Sequence, residues 1–229
     1  MTRAVFVTGT DTGIGKTHVA CALLRALAQA DQRAVGMKPV ASGARASSEG
    51  LRHADAQALM AASNVAATYA DVNPYVFAPP IAPHIAAEAA GVTIELPEIG
   101  AAFARLAALS DWLVVEGAGG WRVPLGGRYT MADIARSLNL PVLMVVGLRL
   151  GCLNHALLTA EAIARDGLRL LGWVANHVVP DMPAAEANVA ALRARLKAPM
   201  LARIPFAAAA DAFSPHPEAL ARLVDESQR

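Results

Sequence analysis

Residues 9–17 read Gly-Thr-Asp-Thr-Gly-Ile-Gly-Lys-Thr and lie between an apolar run at 4–8 and a stretch of helical spacing at 17–29. The usual phosphate-binding loop follows the pattern GxxxxGK[ST] and connects the first strand of an α/β fold to the next helix. Here Thr10 stands at the first glycine position and Gly9 one residue earlier, so the loop is a variant with an intact carboxyl end. A strand, this loop and a helix in succession predict a nucleotide-binding α/β fold.

The residues of this loop are suited to hold a triphosphate. Gly13 and Gly15 lack side chains, so that backbone N–H groups can approach an anion closely. The helix that begins near Lys16 directs its positive end toward the same place. We expect the Lys16 ammonium to bind the β- and γ-phosphates and the Thr17 hydroxyl to bind Mg²⁺. The alternative is an ordinary glycine-rich turn with a solvated lysine, which the strand–loop–helix context disfavours.

Short apolar runs alternate with alanine-rich stretches of helical spacing along the chain. Continuous apolar strands separated by helices predict parallel strands buried on both faces of the sheet. We therefore expect a doubly wound, mostly parallel α/β sheet with helices on both faces, in one domain over residues 1–229. Strands are predicted at 4–8, in a short run ending at Met37, and at 112–115, 141–146, 170–176 and 200–204; helices at 17–29, 55–62, 98–109, 154–165 and 183–196; and functional loops at 41–50 and 74–83.

The composition argues against several other classes of protein. With 55% hydrophobic and 17% charged residues, the chain has material for one large core and does not resemble a disordered protein. A formal net charge of +1 with scattered arginines argues against nucleic-acid binding. Cys21 and Cys152 lack CxxC spacing, which predicts reduced thiols rather than a zinc site. Because no signal peptide and no run of ~18 apolar residues are found, we expect a cytoplasmic protein without a membrane partner.

A second lysine follows the second predicted strand. Residues 36–43 read Gly-Met-Lys-Pro-Val-Ala-Ser-Gly, and Lys38 is the lysine of this segment. In open α/β sheets, ligands bind at the carboxyl ends of the strands. This rule predicts that Lys38 points toward the same crevice as Lys16. From position alone, a surface lysine at the start of a loop is an equally good interpretation.

Two acidic residues occupy positions that suit a magnesium ion. Glu116 ends the predicted strand at 112–115 and precedes Gly-Ala-Gly-Gly, whereas Asp55 begins a predicted helix. Magnesium prefers one or two carboxylates together with phosphate oxygens and water. Both residues are therefore candidate ligands, although a helix N-cap is a competing interpretation for Asp55.

Taken together, these motifs resemble the dethiobiotin synthetase family. Many ATPases share the phosphate loop, whereas the Lys-Pro-Val-Ala-Ser-Gly and Leu-Gly-Cys-Leu-Asn-His segments are far more specific. The matching segments run in the family order from residue 4 to about residue 206. They are Gly-Thr-Asp-Thr-x-x-Gly-Lys-Thr at 9–17, Lys-Pro-Val-Ala-Ser-Gly at 38–43, Val-Asn-Pro-Tyr at 72–75, Pro-His-Ile at 83–85, Val-Glu-Gly-Ala-Gly-Gly at 115–120, Leu-Gly-Cys-Leu-Asn-His-Ala at 150–156 and Gly-Trp-Val-Ala-Asn at 172–176.

The resemblance implies a specific reaction, in which 7,8-diaminopelargonic acid, CO₂ and ATP give dethiobiotin, ADP and phosphate. An amine takes up CO₂ to form a carbamate, the γ-phosphoryl group is transferred to it, and the second amine closes the ureido ring. By resemblance, Lys38 holds the carbamate, Lys16 holds the transferring phosphate, and Thr12 and Ser42 donate hydrogen bonds nearby. Cations around both anions would offset their repulsion. The implied cofactors are ATP and Mg²⁺, with the metal held by Thr17, Asp55 and Glu116.

The resemblance also implies the remaining binding residues and a homodimer. In the family, the segment at 150–154 comes from the opposite subunit, so Leu150, Gly151, Cys152 and Asn154 would receive the substrate carboxylate. Adenine is expected near Asn176 and the turn at 204–206. The implied nucleotide-binding residues are Gly13, Ile14, Gly15, Lys16, Thr17, His18, Asp55, Glu116, Gly117, Ala118, Gly119, Asn176, His177, Ile204, Pro205 and Phe206.

Three positions depart from the family pattern. Gly13 stands where some members carry an acid, and His177 stands where an aspartate is common. Asn188 replaces a tyrosine that can reach the substrate carboxylate. None of these departures affects Lys16, Lys38 or the predicted metal ligands.

Two other classes of function share parts of this pattern. A regulatory ATPase of the partitioning or cell-division type has a similar variant loop, but often with an extra lysine where this chain has Asp11 and Thr12. A glutamine-dependent amidotransferase synthetase needs a glutaminase domain, for which 229 residues leave no room. Two lysines and two acids predicted at one site therefore favour an enzyme with small-molecule substrates.

Overall fold

The computed structural model describes residues 2–207 as strands and helices that alternate along most of the chain. The strands are β1 (Arg3–Gly9), β2 (Ala34–Met37), β3 (Val40–Ser42), β4 (Arg45–Ser47), β5 (Gly50–Arg52), β6 (Tyr75–Phe77), β7 (Trp112–Glu116), β8 (Pro124–Gly126), β9 (Tyr129–Thr130), β10 (Val142–Leu148), β11 (Leu170–His177) and β12 (Met200–Ile204). The helices are α1 (Lys16–Gln29), α2 (Ala54–Ala62), α3 (Tyr69–Val72), α4 (Pro83–Ala89), α5 (Leu96–Leu109), α6 (Met131–Ser137), α7 (Cys152–Arg165) and α8 (Ala185–Arg195).

Six strands form one parallel sheet in the order β12-β11-β10-β1-β7-β2. Strand β1 lies inside the sheet, between β10 and β7. Because all the pairings in this sheet are parallel, the carboxyl ends of β1, β2 and β7 lie at the same edge. The phosphate loop follows β1, Lys38 follows β2, and Glu116 ends β7. The fold thus brings three separate predicted site segments to one edge of the sheet.

Both faces of the sheet are buried, as the continuous apolar strands predict. Along β1, Phe6 packs in one hydrophobic cluster with residues of α5 and α6, whereas Val5 and Val7 pack in another with residues of α1 and α2. Phe6, Val5 and Val7 are fully buried. The doubly wound α/β architecture is therefore confirmed.

The predicted functional loops at 41–50 and 74–83 contain short strands that the sequence did not predict. Strand β3 pairs in parallel with β6, and β4 forms an antiparallel hairpin with β5. Each of these strands has three residues, which is too short for alternation of apolar and polar residues to be recognised. For the same reason, the helices α3, α4 and α6, with four to seven residues, had no recognisable period.

Residues 2–207 contain both cysteines of the chain. Cys21 and Cys152 are both free and buried. Within the same range, no helix combines the length and the apolar character needed to cross a membrane.

Candidate active site

A cavity of about 790 Å³ lies at the carboxyl ends of β1, β2 and β7, and both Lys16 and Lys38 line it. The Lys38 side chain is only 3% exposed, so its interpretation as a surface lysine is wrong. Part of the wall is apolar, with Ala41, Val123 and residues 80–83. The other predicted site residues that line the cavity are Thr12, Gly13, Gly15, Thr17, Ser42, Asp55, Glu116, Ala118 and Gly119.

The phosphate loop has the backbone conformation that its glycines allow. Gly13 and Gly15 have φ angles of 70° and 89°, in the left-handed region that favours glycine. Gly15 is also the N-cap of α1, and a Cβ atom at this position would lie 2.3 Å from Asn176 Nδ2. Asn176 Nδ2 donates a hydrogen bond of 2.8 Å to the carbonyl oxygen of Ile14. Asn176, at the carboxyl end of β11, thereby supports the loop from the side of the sheet.

Lys16 lies at the base of the loop and is almost completely buried. Its Nζ donates a hydrogen bond of 2.9 Å to the carbonyl oxygen of Asp11. Burial, followed by the positive charge of Lys38, lowers the pKa of Lys16 to about 8. The two ammonium groups therefore act on each other across the cavity. An anion bound between them would be attracted by both and would favour their charged forms.

Lys38 is held by two carboxylates on different elements. Its Nζ lies 2.6 Å from Glu116 Oε1, at the end of β7, and 2.9 Å from Asp55 Oδ2, on α2. Burial alone would lower the pKa of Lys38, but these carboxylates outweigh it and raise the pKa above its ordinary value. Although burial would raise the pKa of Asp55, Lys38 outweighs it and lowers that pKa. At neutral pH the site therefore contains a buried ammonium beside an ionised Asp55.

The three predicted metal ligands meet at this cavity. The Thr17 hydroxyl donates a hydrogen bond of 2.8 Å to Glu116 Oε1. The other carboxylate oxygen, Glu116 Oε2, is buried and has no hydrogen-bond partner among the described residues. A buried oxygen of this kind needs a partner, because an unsatisfied acceptor is costly. Two carboxylates and a hydroxyl beside a phosphate loop fit the hard oxygen ligands that Mg²⁺ prefers.

His53 also lines the cavity, and sequence reasoning missed it. It is the N-cap of α2, so the N-cap interpretation of Asp55 is wrong. The Nδ1 atom of His53 accepts a hydrogen bond from the Asp55 N–H at 3.1 Å, and its Nε2 atom lies 3.1 Å from the carbonyl oxygen of Ser42. The sequence feature that could have identified His53 is its position two residues before Asp55, where a helix was predicted to begin.

Other predicted nucleotide contacts lie outside the cavity lining. The Ile14 side chain is buried in the core, so only its backbone can face a phosphate. His177 ends β11, where its Nε2 accepts a hydrogen bond of 2.9 Å from Arg203 Nε. Burial and then the charge of Arg203 lower the pKa of His177. Phe206 is about half exposed. The remaining predicted residues away from the lining are His18, Gly117, Asn176, Ile204 and Pro205.

The segment at 150–154 does not line this cavity either. It begins α7, with Gly151 as the N-cap and Cys152 buried. Leu150 is 98% exposed. Asn188 lies on α8, where its side chain donates a hydrogen bond to Ala184 O. The substrate-carboxylate role of the segment stays a prediction.

Comparisons with known proteins agree with this architecture. The AAA domain family matches residues 3–213 of the chain. The ATP-dependent dethiobiotin synthetase BioD of Xanthomonas oryzae pv. oryzae (strain PXO99A) is 53% identical over 209 residues, which cover 91% of this chain and 93% of the relative. The protein of the same description from Pseudomonas paraeruginosa (strain DSM 24068 / PA7) is 54% identical over 203 residues, covering 88% and 89%.

Among solved structures, the neighbours are distant in sequence. A ParA family ATPase from Chlorobium tepidum TLS has a TM-score of 0.58 at 12% identity, covering 96% of this chain and 99% of that one. The MinC:MinD cell division protein complex of Aquifex aeolicus also gives a TM-score of 0.58, at 17% identity and with 99% and 95% covered. At these identities the likeness concerns the fold and does not support the regulatory alternative.

A parallel sheet whose first strand leads into a phosphate loop, with an acid at the end of the strand beside it, defines a P-loop protein of the α/β class. Within that class, the family is shown by the sequence identity to dethiobiotin synthetases, which exceeds half of the aligned residues. The chain belongs to the ATP-dependent dethiobiotin synthetase family.

Proposed function

We propose that this chain is an ATP- and Mg²⁺-dependent dethiobiotin synthetase, a ligase of biotin biosynthesis that forms carbon–nitrogen bonds. It converts 7,8-diaminopelargonic acid, CO₂ and ATP into dethiobiotin, ADP and phosphate, with residues 1–229 acting as one catalytic domain in the cytoplasm. The observation that carries the proposal is the pair of lysines, Lys16 and Lys38, lining one cavity from two separate loops.

The difficulty of this reaction is electrostatic. A carbamate oxygen must attack the γ-phosphorus of ATP, although both groups are anionic. In our proposal, Lys38 binds the carbamate and Lys16 binds the transferring phosphoryl group, while Thr12 and Ser42 donate hydrogen bonds to these groups. Preorganised cations in a largely buried site stabilise such a transition state more effectively than water does. Once the mixed anhydride has formed, the second amine attacks its carbonyl carbon and expels phosphate.

Magnesium would be held by Thr17, Asp55 and Glu116. The partnerless oxygen of Glu116 and the ionised state of Asp55 support this assignment. When bound, the ion would neutralise part of the triphosphate charge. The same carboxylates keep Lys38 protonated and oriented toward the cavity.

A homodimer would complete the substrate site. The apolar cavity wall suits the aliphatic chain of the diamine, and the segment at 150–154 of the second subunit would receive its carboxylate. The almost fully exposed Leu150 supports this arrangement, since a large apolar side chain at a helix start is well placed for an interface. Sedimentation velocity at micromolar concentration tests it, and a chain that sediments as a monomer would contradict it.

Phosphate release from ATP separates this enzyme from a regulatory ATPase. We expect release only when the diamine and bicarbonate are both added, since the carbamate is the phosphoryl acceptor. EDTA should abolish the release, because the triphosphate charge is then left without its metal. The measurement is a coupled phosphate assay with each component omitted in turn. Equal release without the diamine would rule out the proposed function.

A further inference from the structure

A series of hydrogen bonds lies behind the cavity wall and involves residues with no role in the proposed chemistry. Its centre is the hydroxyl group of Tyr69, in the first turn of α3. This hydroxyl accepts a hydrogen bond of 2.8 Å from the N–H of His53 and donates one of 2.9 Å to Asn73 Oδ1. One oxygen atom therefore connects the segment before α2 to the segment after α3.

On one side, the series ends at the backbone of Lys38. Asn73 is 2% exposed, and its Nδ2 donates hydrogen bonds to the carbonyl oxygens of Lys38, at 2.6 Å, and Tyr75, at 3.1 Å. Two carbonyl acceptors fix the amide orientation, because only the NH₂ group can donate to them. The N–H of Lys38 in turn donates to the carbonyl oxygen of Val72 at 2.7 Å. Both backbone polar groups of Lys38 are thus held by residues 72–73.

On the other side, the series reaches Ser42 and Asp55 through His53. The Nδ1 atom of His53 accepts from the Asp55 N–H at 3.1 Å, and its Nε2 atom lies 3.1 Å from the carbonyl oxygen of Ser42. Ser42 and Asp55 both line the cavity with Lys38. The three residues lie on separate segments, and the Tyr69 hydroxyl joins the backbone contacts of Lys38 to the His53 contacts of Ser42 and Asp55.

The surroundings of Tyr69 keep its ring and its hydroxyl group in place for these hydrogen bonds. The guanidinium carbon of Arg52 lies 4.1 Å from the centre of the Tyr69 ring, in a cation–π contact that fixes the ring plane. Burial raises the pKa of the hydroxyl, which stays protonated and able to donate to Asn73.

We propose that Tyr69 is a positioning residue for the reaction, whose hydroxyl aligns the Lys38 ammonium with Ser42 and Asp55. It does not contact the reacting atoms, and it acts through the backbone of Lys38 and through His53. The inference rests on the proposed function, since it assumes that Lys38 binds the carbamate. The phosphate loop takes no part in this series, because none of its hydrogen bonds involves Gly13, Gly15 or Lys16.

Tyr69→Phe tests the proposal, because it removes one oxygen and keeps the ring that contacts Arg52. We expect kcat for diamine-dependent phosphate release to fall about tenfold, with KM for ATP unchanged. The matched control is Tyr75→Phe, which removes a hydroxyl that accepts the Glu95 N–H at 3.0 Å. This control is expected to keep the wild-type kcat. Thermal unfolding of each variant is recorded alongside, to show that both are folded at the assay temperature.

A double-mutant cycle distinguishes positioning from general stabilisation. If Tyr69 acts through Lys38, Tyr69→Phe should lower the residual rate of the Lys38→Ala enzyme by less than about twofold, because the group that it aligns is gone. The same loss in both backgrounds, or no loss in either, would overturn the inference. If the wild-type enzyme releases phosphate without the diamine, the proposed function itself fails, which is a separate result.

Discussion

Replacing Lys38 with alanine is expected to lower kcat by about a thousandfold while the affinity for ATP changes by less than about threefold. Removing a preorganised charge that stabilises the transition state lowers kcat by about 10²–10³ in comparable sites. Lys38 follows β2, whereas the phosphate loop follows β1, so we expect the ATP contacts made by the loop to persist in the variant.

The Lys38 variant also needs a stability measurement, since the substitution leaves two carboxylates without their buried partner. Glu116 Oε1 and Asp55 Oδ2 both contact the Lys38 ammonium, and loss of such a partner is destabilising. Thermal unfolding shows whether the variant is folded at the assay temperature. Lys197→Ala, at an exposed position, is the matched control and should keep the wild-type kcat. Equal kcat values for Lys38→Ala and the wild type would remove Lys38 from the mechanism.

Replacing Lys16 with alanine should weaken nucleotide binding and catalysis together. We expect the Kd for ATP to rise at least about tenfold and kcat to fall about a hundredfold, because in our proposal the ammonium binds the phosphates in both the ground state and the transition state. Lys16 lies at the start of α1, where the positive end of the helix favours the same anion.

Calorimetric titration with a non-hydrolysable ATP analogue gives the affinity of the Lys16 variant, and the phosphate assay gives its kcat. The contrast with Lys38→Ala is the informative comparison, since one variant changes both quantities and the other changes mainly kcat. An unaltered affinity for the analogue would contradict the role of Lys16.

Three predicted parts of the site lie at strand ends, whereas Asp55 was predicted at the start of a helix. The phosphate loop, Lys38 and Glu116 each follow or end a strand of a parallel sheet, and the topology alone brings them to one edge. Continuous apolar runs sufficed to predict these strands, because stretches of helical spacing separate them along the chain. The burial of Lys38 and its two carboxylate partners could not be predicted from the sequence, because a lysine that follows a strand can equally lie on the surface.

The parts that sequence reasoning missed or left open depend on contacts between side chains. His53 was missed, whereas Asp55 was predicted as a metal ligand with a helix N-cap as the alternative. The hydrogen bonds show that His53 is the N-cap, and Asp55 lines the cavity. Asn73 and Lys38 are 35 positions apart, and their contact has no local sequence signal. The strands β3 and β6 are too short for periodicity to reveal them.

The central claim, that a carbamate attacks ATP in this cavity, is tested most directly by following the oxygen atoms of CO₂ through the reaction. If the carbamate attacks ATP between the two lysines, one of its oxygens becomes the bridge to phosphorus and leaves with phosphate when the ring closes. In single-turnover reactions with C¹⁸O₂, quenched before exchange with water, each phosphate released should carry one ¹⁸O atom by mass spectrometry. Unlabelled phosphate, formed by attack of water on ATP, would contradict the account.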